Sequence, residues 1–327
     1  MAIANGATEM AVNVPRLTRA PSSADSTVLV SVLGIAALVE LAVLRTFTRT
    51  AIHIPALEQM QGPYELLAGA GRYAYFVAAG LVFPVLALLA LQVGRGREPA
   101  RWLALTAIAG FAGAALATAA GLEPGLMLGA ATIWAIAVLA VAHALAVGGR
   151  AVLPVIAFAA AFALSGAYTV LPEAGASSQP AWLLDGAELA GLAFALSLPL
   201  IVAGNDRRST VAGGAVALLA LTFFLGNGST SRFLLLWNVG LSGTLPGVAY
   251  AAAAGAIAFA AVRCLRIGSP LGACGVVLLV AGGIGLHSSY QSALAIAGLT
   301  ALYLALRDSS AARSAAGPAS VRPYPAE

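Results

Sequence analysis

The chain has 327 residues, 60% of them hydrophobic and only 9% charged, with a mean hydropathy of +0.92. A soluble domain carries about 25% charged residues, so this composition excludes a soluble enzyme, a disordered chain and a nucleic-acid-binding module, and it predicts a protein of the membrane. All 17 basic residues are arginine and the net charge is +4, a bias that reports orientation across a bilayer rather than affinity for nucleic acid.

Residues 1–26 are polar and rich in Ser and Pro, with Arg16 and Arg19 ahead of the first apolar run, and read as a disordered cytoplasmic tail. Leu44, Arg45 and Thr46 after that run offer no small-x-small cleavage site, so the run reads as an uncleaved signal-anchor helix. Ten apolar runs follow one another, over 27–44, 73–93, 102–120, 126–147, 151–170, 187–202, 211–225, 245–265, 271–286 and 292–306. Each approaches the roughly 20 residues that a helix needs to cross a hydrocarbon core of about 30 Å. The expected fold is therefore an all-α, polytopic bundle of about ten transmembrane helices over 27–307, in the cell membrane, with a second disordered tail at 308–327.

Arginine placement gives the orientation. With both termini cytoplasmic, every arginine except Arg45, Arg49, Arg72 and Arg232 falls on the inner side, as short cytoplasmic loops require. The four exceptions concentrate interest on the outer side, above all on the loop 45–72. Glu40, near the end of the first run, is an acid inside an apolar segment and needs a partner or a proton. If the first helix continues outward, Arg45, Arg49 and His53 fall at i, i+4 and i+8 on one side of it before Pro55 stops it. Arginine forks on such a stripe suit a carboxylate or phosphate.

Further along, 233–262 is apolar for 30 residues, about 45 Å as one helix and too long for a bilayer. Gly243, Pro246 and Gly247 offer a break, so 233–241 reads as an outer interfacial or re-entrant piece and Pro246 as the opening of the eighth span. The outer side also holds Arg232, Asn238, His287, Tyr290 and Gln291, while Glu123, Glu173, Asp185 and Glu188 read as solvated loop ends. Cys264 and Cys274 have neither disulfide nor metal spacing and read as packing residues.

Walker, HExxH, GxSxG and paired-acid motifs are absent. The candidate ligand-binding set is Glu40, Arg45, Arg49, His53, Arg72, Arg232, Asn238, His287 and Tyr290. Within it, His53 and His287 on separate outer segments suit axial ligation of a haem iron, with Arg45 and Arg49 suiting its propionates; a quinone is the other cofactor that fits, and no metal site has enough ligands. The preferred function is a membrane subunit or anchor of an electron-transfer complex, partnered by the bilayer and by other membrane or extracytoplasmic subunits. The alternative is a ten-helix small-molecule transporter, which needs polarity near the midplane that the spans scarcely offer. A membrane-embedded transferase with Glu40, Glu58 or His53 as general base is a third.

The orientation makes a direct prediction. A cysteine placed at Gln59 in a background without Cys264 and Cys274 should react with an impermeant thiol reagent in intact cells; reaction only after lysis would reverse the assignment.

Overall fold

The computed structural model describes residues 23–47, 61–93, 152–170, 180–202, 204, 206–226, 244–283 and 289–315, with four isolated positions between 109 and 120. The described residues form helices and no strand: α1 Ser23–Val39, continued by a π-helical segment Glu40–Phe47, then α2 Gln61–Val93, α3 Val152–Val170, α4 Ala181–Ile201, α5 Arg207–Gly226, α6 Thr244–Arg266, α7 Pro270–Gly282 and α8 Ser289–Ala315. Among the described residues, four helical stretches are long and apolar enough to cross a membrane: Ser26–Leu44, Gly62–Leu89, Ala181–Ile201 and Gly247–Arg266.

Proline sets where several of these helices start. Pro180 caps α4 and Pro270 occupies the first position of α7, while Pro63, Pro154 and Pro246 are the third residues of α2, α3 and α6. At these positions the missing N–H had no intrahelical acceptor, and the fixed φ favours the first turn. Glycine closes α6: Gly268 adopts φ 70°, Ser269 N–H donates to Cys264 O (2.9 Å) and Gly268 N–H to Leu265 O (3.1 Å). That is a Schellman motif, and Ser269 then caps α7 by accepting from Gly272 N–H (3.3 Å). A two-helix corner is thus built from sequence-local bonds alone.

Between α4 and α5 the connection is clasped from α6. Gly204 adopts φ 111°, and the Arg263 guanidinium lies so close that a Cβ at Gly204 would stand 2.5 Å from its Nη2. Asp206 caps α5, accepting from Ser209 Oγ (2.8 Å) and Ser209 N–H (3.3 Å), and pairs with Arg266 (3.7 Å). These bonds, the serine hydroxyl foremost, hold the Asp206 carboxyl below its ordinary range. Since the folded value is the lower one, the cap's contribution is complete above the usual aspartate range and is lost as pH falls through the depressed value.

Packing joins the helices in two groups. Helices α1, α2, α7 and α8 form a closed four-membered set through the contacts α1 with α2 and α7, and α8 with α2 and α7. Helices α3, α4, α6 and α5 pack in that order as a row, and α6 against α7 joins the groups. Helix α8 is the most enclosed, with Leu294, Ala295, Ala297, Ala301 and Leu302 fully buried. By contrast Leu66, Tyr73 and Phe76 on α2, Leu189, Leu196 and Leu200 on α4, and Leu218 and Leu219 on α5 are exposed, an apolar outer surface suited to lipid.

Glycine permits the closest contacts. A Cβ on Gly275 of α7 would lie 2.8 Å from Gly298 O and Leu302 N of α8, and one on Gly298 would lie 2.6 Å from Gly275 O and Leu279 N. Helices α5 and α6 repeat the device, with Gly213 and Gly255 each 2.7–2.8 Å from the other's carbonyl oxygen by the same measure.

Several sequence expectations change. Helix α2 starts at Gln61, not 73, so part of the loop 45–72 is helix; α7 has 13 residues, about 20 Å, and ends at Gly283 with φ 70°. Helix α8 runs on to Ala315, through the start of the expected tail at 308–327. The α-helical spacing assumed for Arg45 gives way to the π-helical segment, whose bonds close i to i+5. Helix α6 begins at Thr244 with Pro246 in its first turn, as expected, while the interfacial piece 233–241 and the spans 102–120 and 126–147 lie outside the described residues.

Neighbouring glycines on α5 test the packing. Gly213→Ala should cost about 1–3 kcal/mol, because its Cβ meets backbone that cannot move aside, whereas Gly214→Ala, with nothing within 4 Å, should leave stability unchanged. Thermal unfolding of the two detergent-solubilised variants measures the difference; equal midpoints would show that the helices do not meet at Gly213.

Candidate functional site

Glu40 is 3% exposed and stands where α1 passes into the π-helical segment. An α-to-π transition re-aims the side chains that follow it, and such segments recur at functional sites. Three residues later the chain touches α2: a Cβ on Gly71 would lie 3.2 Å from Val43 Cγ1 and from Leu44 Cβ and N. The π-helical segment packs along α2, the helix that also carries Tyr75. Tyr75 in turn meets the first turn of α8, its ring edge-on to Tyr290 at 5.2 Å and to its neighbour Phe76 at 5.7 Å.

The start of α8 adds polarity to this end of the four-helix group. Ser292 is fully buried and its Oγ has no hydrogen-bond partner among the described residues, and the Gln291 Oε1 is buried beside it. Gly282 at the end of α7 lies against the Gln291 carbonyl and the Ala295 nitrogen, closing the cluster from below. Two edge-packed tyrosines, an amide and a hydroxyl are therefore gathered at the start of α8, and the buried Glu40 stands on the segment that packs against the same helix α2. Of the predicted set the described residues include Glu40, buried at the start of the π-helical segment, Tyr290 in the first turn of α8, and Arg72, exposed on α2 three residues before Tyr75. The Arg45 side chain and all of Arg49, His53, Arg232, Asn238 and His287 lie outside the described residues, so the bis-histidine arrangement does too. Among the described residues no group of three or more His, Cys, Asp or Glu could hold a metal ion.

A second buried acid was not anticipated. Glu188, read from sequence as a solvated loop end, is the eighth residue of α4 and only 8% exposed. Helix α6, which packs on α4, carries Tyr250, itself 7% exposed, and Glu188 Oε2 is buried without a hydrogen-bond partner among the described residues. Asp185 lies three residues earlier on α4 and is exposed. The interior hydroxyls are quieter: Ser197 donates to Phe194 O (2.7 Å) and Ser31 to Thr27 O (2.7 Å), each satisfied within its own helix. The cysteines are free and serve packing, Cys264 fully buried beneath Gly272 and Cys274 against Gly34, with its sulfur 3.6 Å from Ser31 Oγ.

Removing charge at Glu40 should be felt and removing it at the exposed Glu65 of α2 should not. Glu40→Gln is expected to cost about 1–3 kcal/mol through the interactions of a buried carboxylate, and Glu65→Gln less than about 0.5 kcal/mol. Equal unfolding midpoints in detergent would remove Glu40 as the organising acid of the cluster.

No family model, no curated protein and no solved structure matches this chain.

Proposed function

We propose that the chain is a multi-pass integral protein of the cell membrane, with about ten spans and both termini cytoplasmic, whose extracytoplasmic end binds a small planar ligand in the cluster around Glu40, Tyr75 and Tyr290. The reading favoured is a membrane subunit of an electron-transfer complex that takes a quinone there. One observation supports it: Tyr290 of α8 packs edge-on against Tyr75 of α2, the helix on which the segment carrying the buried Glu40 also packs. Aromatic walls with a few polar groups suit a flat head group bearing carbonyl oxygens. Arg72 at the rim, with Arg45, Arg49 and His53 from the same loop and Arg232, Asn238 and His287 from others, would complete the site; the two histidines would serve haem instead, should it be the cofactor.

The second reading is transport of a small molecule. Glu188 favours it, because this buried acid lies inside a helix long enough to cross the membrane and supplies interior polarity that such a protein needs.

The absorption spectrum of the purified protein, together with solvent extraction of bound quinone, separates these readings. Quinone in stoichiometric amount, reduced at least several-fold in Tyr290→Ala and Glu40→Gln, is the expected result. A Soret band would move the assignment to haem, and protein free of both, whose proteoliposomes accumulate a solute, would replace the proposal by transport.

A further inference from the structure

Helix α4 carries its second acid where an ion is hard to keep. Glu188 lies seven residues into a 21-residue helix, about 10 Å along its axis, and is more than nine-tenths buried. An ionised carboxylate so placed needs a cation or several hydrogen bonds, and failing these it takes a proton. Among the described residues, the elements packed on α4 offer no cation at its depth. Helix α3, which meets α4 where Leu164 touches Gly186, has no charged residue and only Tyr168 as a titratable one. Helix α6 brings Tyr250, while its arginines, Arg263 and Arg266, lie in its last turn, about 20 Å further along that helix. On α4 itself the neighbour is Asp185, which adds a second negative charge at i−3. Oε2 meanwhile has no hydrogen-bond partner among the described residues.

We propose that Glu188 is a proton-binding site inside the bundle, loaded and emptied through the exposed carboxylate of Asp185. In the step, Asp185 takes a proton from water at the start of α4 and passes it to the Glu188 carboxylate through one intervening water, and the reverse path returns it. The neutral acid is compatible with the packing of α4 against α6, whereas the ion must draw water in between those helices. Proton occupancy is thereby tied to how tightly α4 and α6 close. This site is separate from the Glu40 cluster and stands whether or not a quinone binds there.

Infrared difference spectroscopy of the full chain in lipid nanodiscs reads the proton directly, through the carbonyl band of a protonated carboxyl group. Wild type should show such a band that disappears as pH is raised, and Glu188→Gln, an isosteric neutral variant expected to fold, should lose it. Asp185→Asn should keep the band, move its midpoint to lower pH by removing the adjacent negative charge, and slow its exchange in heavy water. A band untouched by Glu188→Gln, or its absence at every pH, would overturn the proposal. So would a band abolished by sodium at constant pH, which would mark a metal-cation site, or exchange unchanged in Asp185→Asn.

Discussion

The fold depends on backbone meeting backbone between helices. In lipid an apolar side chain gains little by leaving its acyl neighbours for another helix, so association rests on dense van der Waals contact, which only small residues allow at the closest range. Gly275 against Gly298 and Gly213 against Gly255 provide it, each pair reciprocal. Because α8 is fixed along α7 in this way, its first turn has a defined rotation, and Tyr290 meets Tyr75 instead of lipid. Because α6 is fixed along α5, Tyr250 is held toward α4 and Glu188. Both polar clusters therefore inherit their geometry from glycines that touch neither.

Sequence patterning revealed most of the helices, since eight of the ten apolar runs coincide with helices of the structure, and it revealed Glu40 as a buried acid. The start of α2 was hidden because Glu65 and Arg72 made 61–72 look like loop, although both sit exposed on a helix that has no need to bury them. Glu188 was hidden by a boundary. A sixth span over 187–202 has 16 residues, about 24 Å, which is short of the roughly 30 Å core; length alone would have extended it back through Trp182 and carried Glu188 inward. The π-helical segment had no comparable signal, because it depends on how α1 meets α2 and not on residue type.

The two buried acids are handled differently. Glu40 occupies the junction between two helical forms, where the backbone departs from the α-helical repeat. Glu188 sits in unbroken α-helix with every backbone group engaged, so nothing local answers its charge. The first arrangement suits holding a ligand in place, and the second suits a group that changes its ionisation.

Helix α7 spans only about 20 Å between its Ser269 cap and Gly283, two-thirds of a typical hydrocarbon core. With α1, α6 and α8 packed on it, so short a helix is enclosed by protein along its length. Gly282, the last residue of α7, lies against the Gln291 carbonyl, so the end of this helix fixes the turn of α8 that carries Tyr290 to its contact with Tyr75.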